Sequence, residues 1–371
     1  MSGYASIESS KVRRYKILRY QGNAKNRKSG IATIEIKALI LKELFIGITP
    51  LPGETLNSFL SRHHLYSCNS QSRATLSNVL GYIPASNSWS SYMLQRLATY
   101  MGGGLDTFKK LISYNTLHHQ NFLTSHNSNT IIEKLYRTKK TNLLFFEQKA
   151  KHFRICITCW HNDIQTLGYG FIKTQHQTTE VKVCADHGVA LIDKCQGCKK
   201  HFLDSEFIFD LPWRGCCCGW TIQNLQSPTI SEYNKLDLDI SRLAAFQLNT
   251  HFQIGVISLE DTYHFRAKEL DVKADKKHII EYIFFSAEMK YGLETLKQSI
   301  PDYLRLKHIA TQELPPQLIL SPGSSWTFHM LAFLSLTKNV EAASLLMKKT
   351  QFSSNLIDDN QYQPEQKPLT Y

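Results

Sequence analysis

Apolar and polar positions repeat with a helical period over most of the chain. From Glu54-Thr55 onward, Leu56, Phe59, Leu60 and His63 recur three to four residues apart, which predicts a helix with one buried face. The turn Pro50-Leu51-Pro52-Gly53 precedes it. A second helix is predicted over residues 73–80, with Ser72 as its N-cap and Leu76, Val79 and Leu80 inward. A third runs over 90–101 and stops at Gly102-Gly103-Gly104, and a fourth covers 105–114. Short helices joined by tight turns fit a helix-turn-helix-like unit. The same period returns after residue 229, over 236–248, 262–270, 275–290, 293–300, 326–336 and 340–349.

Two segments break this pattern. Residues 1–43 are crowded with Lys11, Arg13, Arg14, Lys16, Arg19, Lys25, Arg27 and Lys28, the composition of a basic extension. Its end, 31–41, alternates and could form a strand. Residues 151–228 lack a dominant period and instead concentrate cysteine. The expected architecture is mainly α. A basic extension (1–43) leads into an N-terminal helical domain (44–150), followed by a double zinc-knuckle region with short strands (151–228). A C-terminal helical domain (229–355) and a loose tail (356–371) complete it.

Charge adds a partner class. The chain carries 43 Lys+Arg against 31 Asp+Glu, a formal +12, which favours polyanions. Candidate nucleic-acid or partner contacts are Arg62, Arg73, Arg96, Lys109, Lys110, Lys139, Lys140, Lys276, Lys277, Arg305 and Lys307, with Lys348 and Lys349 beyond them. Taken singly, each is an ordinary solvated surface charge. No run reaches the roughly 18 apolar residues of a membrane helix, and the N-terminus has no secretory apolar core. The expected setting is an intracellular, reducing compartment, where clustered cysteines read as metal ligands before disulfides.

The cysteine block carries the most specific chemistry. Eight of the nine cysteines lie between Cys156 and Cys218, as Cys156-x-x-Cys159, Cys184-x-x-His187, Cys195-x-x-Cys198 and Cys216-Cys217-Cys218. A two-residue gap lets one turn aim two donors at one ion, and tetrahedral zinc takes two such pairs. Pairing neighbours gives Cys156, Cys159, Cys184 and His187 for one ion, and Cys195, Cys198, Cys216 and Cys218 for the other. Cys217 is then spare, and Gly219 follows the last ligand, where a knuckle needs positive φ. An interleaved pairing is the competing geometry. Both quartets fill with protein donors, so two structural Zn2+ ions are expected and no catalytic one. His161, His176 and His201 read as surface or hydrogen-bonding histidines. Asp163, Asp186 and Glu180 are candidates to orient ligands. Trp160, Tyr169, Phe171, Trp213 and Trp220 read as packing around the knuckles.

These residues resemble a known family. Residues 50–62 (PLPGETLNSFLSR) are similar to the opening motif of the TniQ/TnsD family of transposition target-selection proteins. Residues 97–117 (LATYMGGGLDTFKKLISYNTL) resemble its following helices. Arg154-Ile-Cys-Ile-Thr-Cys159, Asp163, Gly168-Tyr169, Gln175-His176-Gln177 and Val183-Cys-Ala-Asp-His-Gly188 resemble its zinc signature, and 191–198 with 215–220 its second knuckle. The likeness covers about 44–225 and keeps its order. Ile157 stands where the family commonly has Pro, and 1–43 has no counterpart. Residues 263–270, 290–296 and 326–334 resemble the TnsD branch more loosely, while the chain's length is nearer the TniQ branch of CRISPR-associated transposons.

The resemblance implies an adaptor, not an enzyme. On one side it would hold a target, either a guide-RNA CRISPR effector complex or attachment-site DNA. On the other it would recruit an AAA+ transposition ATPase, with a homodimer as one open assembly. The chain has no Gly-x-x-x-x-Gly-Lys-Ser/Thr phosphate loop of its own. A reading from a different class stays open: a sequence-specific, zinc-stabilised transcription regulator with no ATPase partner.

Overall fold

The computed structural model describes residues 48–67, 69–84, 89–117, 133, 136–137, 152–202, 211–222, 233–249, 256–273, 275–320 and 325–355. They fall within one unit, Ile46–Tyr371. The basic extension, the strand expected over 31–41, Cys68, Lys139, Lys140, the expected boundaries at 150 and 228, and the tail lie outside the described residues.

The first four helices are α1 (Leu56–Tyr66), α2 (Ser72–Leu80), α3 (Ser91–Tyr100) and α4 (Leu105–Asn115). Thr55 caps α1 by accepting from the Ser58 N–H, and Ser90 caps α3 by accepting from Met93. Ser72 does not cap α2. It is the first helical residue, and Gln71 precedes it with no side-chain cap bond. Leu56, Phe59, Leu60, Val79, Leu80, Leu94, Leu97, Phe108 and Ile112 form the core these helices enclose.

The cysteine-rich region holds α5 (Ile157–Leu167), a 3-10 turn at Thr174–His176, and α6 (Leu211–Arg214). The sequence pattern did not mark α5. Among the described residues, the short strands expected here are isolated antiparallel bridges: Ile155 with Ile192, Val183 with Ala190, and Lys194 with His201. A further bridge, Glu54 with Lys173, joins this region to the start of α1. Around it, the Thr55 N–H donates to Ile172 O (2.8 Å), and the Thr174 N–H to Gly53 O (2.7 Å). The Ile172 N–H donates to Ser58 Oγ (3.0 Å).

The C-terminal helices are α7 (Lys235–Asn249), α8 (Val256–Glu269), α9 (Lys276–Tyr291), α10 (Leu293–Ser299), α11 (Tyr303–His308), α12 (Pro316–Ile319), α13 (Trp326–Ser335) and α14 (Val340–Asn355). A π turn, Ile309–Glu313, follows α11. α13 is buried on every side and forms the centre of this layer. Leu243, Tyr263, Ile283, Phe284 and Met347 share the core with its Phe328 and Phe333. No single helix among the described residues is long and apolar enough to cross a membrane. Val181 joins this core from the cysteine-rich region. The Lys182 ammonium donates to Gln298 O, and the Thr327 hydroxyl to the Glu180 carboxylate (2.7 Å).

Candidate metal centres

Each ligand group sits on a local fold that aims two donors at one point. Cys156 is the N-cap of α5, and its sulfur accepts from the Cys159 N–H (3.4 Å). Cys159 therefore lies in the first turn with its thiol beside that of Cys156. The other three groups share a different device, a knuckle closed by a residue in the left-handed region. Gly188 (φ 64°) follows His187 and donates to Cys184 O (2.8 Å). Lys199 (φ 63°) follows Cys198 and donates to Cys195 O (3.0 Å). Gly219 (φ 84°) follows Cys218 and donates to Cys216 O (2.9 Å). The glycine expected after the last ligand is there, and for the reason expected.

These turns bring together Cys156, Cys159, Cys184 and His187, and separately Cys195, Cys198, Cys216 and Cys218, each set with donor atoms within 4.8 Å of one another. Neighbours in sequence pair, and the interleaved alternative does not occur. In the first set the Cys159–Cys184 sulfurs lie 3.6 Å apart, and His187 Nδ1 lies 3.6, 3.3 and 3.5 Å from Cys156, Cys159 and Cys184. In the second, Cys195–Cys218 is 3.5 Å and Cys198–Cys216 is 3.3 Å. A tetrahedral ion with metal–sulfur bonds of about 2.3 Å needs sulfur–sulfur edges near ~3.8 Å and sulfur–nitrogen edges near ~3.5 Å. Both donor sets fit an ion of that size. Cys217 stays outside the second set, exposed, its sulfur 3.9 Å from that of Cys216.

The electrostatics point the same way. Left to themselves, crowded thiols divide: contacts with Cys159 and Cys184 draw Cys156 down to about 3, while the same cluster pushes Cys159 far up. In the second set Cys218 is drawn down to about 7, chiefly by the Trp220 backbone N–H. A divalent cation removes the conflict, because it lets every donor ionise together. The two sets differ in burial. Cys156, Cys159 and Cys184 are buried with His187 half-buried, whereas Cys198 and Cys218 are exposed.

The surrounding side chains sort by contact. Buried His176 brings Nε2 to 4.0 Å from Cys159 Sγ, a hydrogen-bonding histidine beside a ligand. The Asn162 amide lies 3.4 Å from His187 Nε2, the ring nitrogen facing away from the sulfurs. His161 is half-buried on α5. His201 stacks on His152 at 3.6 Å and sits 3.5 Å from Asp193. Asp163 pairs with Lys173 (3.1 Å), and Asp186 accepts from Gln175 (2.9 Å). Glu180 turns instead to Thr327 on α13. Trp160 is buried against Trp213, and Trp220 stacks on Phe202.

The basic candidates separate in the same way. Arg62 is a correction. At 2% exposure its guanidinium clamps Glu54 and lies 4.6 Å from the Tyr169 ring centroid, so it cannot reach a phosphate. Arg96 donates to Leu80 O at the end of α2. Lys109 pairs with Glu133, Lys276 with Glu260, Lys277 with Glu281 and Lys307 with Glu288. Arg73, Lys110, Arg305 and Lys348 are exposed.

A helical scaffold carrying two closed, thiolate-rich sites able to hold metal ions is the class this geometry defines. Within it, residues 45–191 match the family model described as TniQ, the span that holds α1–α5 and the whole first quartet. The chain thus carries a TniQ domain over these residues, and the TniQ family is associated with transposition. No curated protein matches the chain.

Proposed function

We propose that the chain is a non-catalytic target-selection adaptor of a multi-subunit DNA transposon, working at the nucleoid. The observation that carries this is the TniQ match over 45–191. The adaptor links a marked target to an AAA+ transposition ATPase. The target is a guide-RNA effector complex or attachment-site DNA. Both quartets hold Zn2+ as structural ions. The donor chemistry supports this: four protein donors close each site, so neither needs a solvent ligand. Three segments divide the work in this reading: helices of 44–150, knuckles of 151–228, and helices of 229–355. α3 and α4, joined by residues 101–104, are the pair suited to a helix-turn-helix role.

Co-purification with the ATPase and with a guide complex, beside a DNA shift assay run across salt, tests the proposal. Retention of the ATPase is the expected result. Sequence-specific DNA binding with no ATPase retained would overturn it in favour of a transcription regulator. A purely electrostatic contact through Arg73, Lys110 and Arg305 would weaken steeply with salt and show no sequence preference.

A further inference from the structure

Residues 182–191 form a hairpin around the knuckle that presents Cys184 and His187. The Cys184 N–H donates to Val189 O (2.8 Å), the Leu191 N–H to Lys182 O (2.9 Å), and Val183 bridges Ala190. Residues 178–181 lead into this hairpin as a strap. Arg154, two residues before Cys156, holds the strap: its Nη1 donates to Thr178 O and Thr179 O (both 3.1 Å) and to Val181 O.

The C-terminal layer grips the same segment along its length. Thr327 on α13 donates to the Glu180 carboxylate (2.7 Å). Val181, 1% exposed, lies in the core of that layer. Lys182 donates to Gln298 O on α10 (2.6 Å). Tyr233, just before α7, covers Gly188, where a Cβ would lie 2.9 Å from the tyrosine hydroxyl. Leu191 packs both against that core and against the cysteines of the first quartet. Among the described residues, none from 192 to 222 belongs to that core, so the turns of the second quartet stand apart from it.

The other two donors of the first quartet, Cys156 and Cys159, begin α5. An ion bound by all four donors therefore pins the hairpin to α5. The TniQ match ends at residue 191, so the pinned hairpin is the seam between the matched span and the C-terminal helices.

We propose that the first metal centre is a latch for the C-terminal helical layer: ion binding by Cys156, Cys159, Cys184 and His187 and the seating of that layer on the hairpin are one coupled equilibrium. The inference rests on reading these four residues as a metal quartet. Without the ion, Cys184 and His187 lose their tie to α5, and the backbone that Glu180, Val181, Lys182 and Gly188 offer to the layer is held less firmly. The reverse follows by linkage. Weakening the layer's grip on the hairpin must lower the first centre's ion affinity by the same factor. A knuckle that stabilised only its own loop would show no such return effect.

The test measures zinc affinity by competition with a chromophoric chelator, and backbone protection by hydrogen exchange, both on the full chain. Thr327→Val and Val181→Ala touch no ligand and loosen the grip of the layer on the hairpin. Each should weaken the first centre about 5-fold or more and leave the second unchanged. Cys195→Ser, which lacks the second centre, identifies which affinity belongs to the first. Cys184→Ser should speed exchange in α10 and α13, and Cys195→Ser should not. If Cys184→Ser does not fold, the affinities of the two distant variants decide alone. First-centre affinity unchanged in both distant variants overturns the proposal. So does equal weakening of both centres, which marks general destabilisation, or unchanged exchange in α10 and α13 when Cys184→Ser has lost its ion. A wild-type chain that takes up no ion overturns the quartet reading itself, which is distinguishable from each of these results.

Discussion

Arg62 closes two parallel hydrogen bonds onto Glu54: Nε to Oε1 at 2.9 Å and Nη2 to Oε2 at 2.7 Å, with side chains 3% and 0% exposed. The same carboxylate accepts from the Ser58 hydroxyl and the Leu51 N–H, so every strong acceptor direction is used. Burial alone would lower the guanidinium pKa. The hydrogen bonds and charge of Glu54 outweigh it and raise the pKa. The motif over residues 50–62 is therefore a polar clasp that fixes the turn before α1.

Breaking this clasp from one side strands a buried charge. Arg62→Met or Glu54→Gln alone should each cost about 3–5 kcal/mol. The double substitution should cost much less than their sum, which a double-mutant cycle in urea reads directly. Additive losses would show that the ion pair is not the unit of stability. Loss of DNA affinity without loss of stability would return Arg62 to the phosphate contacts.

The two quartets share no donor, so their metal sites should fail independently. Native mass spectrometry should show two divalent ions per chain. Cys156→Ser should remove one, Cys195→Ser the other. The first substitution should be the more destabilising, because three of its four ligands are buried against Val189 and Leu191. Stoichiometric iron, or a chain that folds fully without metal, would end this reading.

How much of this was legible beforehand follows from the range of the interaction concerned. The quartets could be read because soft donors at two-residue gaps have few alternative uses, and the knuckle turns are local. Helix α5 was hidden because its cap is Cys156, a residue already claimed as a ligand, while Ile157, Trp160 and Ile164 repeat only briefly. Arg62 was misread as a surface base because its partner lies eight residues back, across the turn into α1. Periodicity reports which face of a helix is buried but not which charge meets which. Residues 303–313 went unmarked because Tyr303 and Ala310 are the buried positions of two short, unlike turns, too few to set a period.

Two glycines near the first centre are required for different reasons, and one substitution series separates them. Gly168 (φ 81°) ends α5 in open space, so its need is conformational. A Cβ on Gly170 would meet the buried Trp160 ring at 2.4 Å, so its need is room. Gly168→Ala should cost about 1 kcal/mol, with Gly168→Asn recovering part of it. Gly170→Ala should cost about 1–3 kcal/mol, and Gly170→Asn more. Unfolding in urea with both ions bound measures each. Equal behaviour of the two sites would mean that neither assignment holds.

His63 should make the N-terminal helices sensitive to mild acid. It lies on α1 at 3% exposure, with Nε2 3.0 Å from the Tyr100 hydroxyl and its ring edge-on to Phe59 and Tyr100. Nδ1 has no hydrogen-bond partner. A second proton would therefore place a charged N–H in the core with nothing to accept it. Burial lowers the pKa first, and the Arg62 and His64 charges lower it further. The folded state thus holds fewer protons than the unfolded chain, whose histidine titrates near ~6.5. Stability from this source is complete above that value and is lost as pH falls from it toward the lower folded-state pKa. Metal release also follows acid, so the informative quantity is the difference between wild type and His63→Gln, both zinc-loaded, at pH 7.5, 6.5 and 5.5. Glutamine can still donate to Tyr100 but does not titrate. The variant should be the less stable at pH 7.5, and the gap should narrow as the pH drops. A gap of constant size would mean that His63 takes up its proton as easily in the fold as outside it.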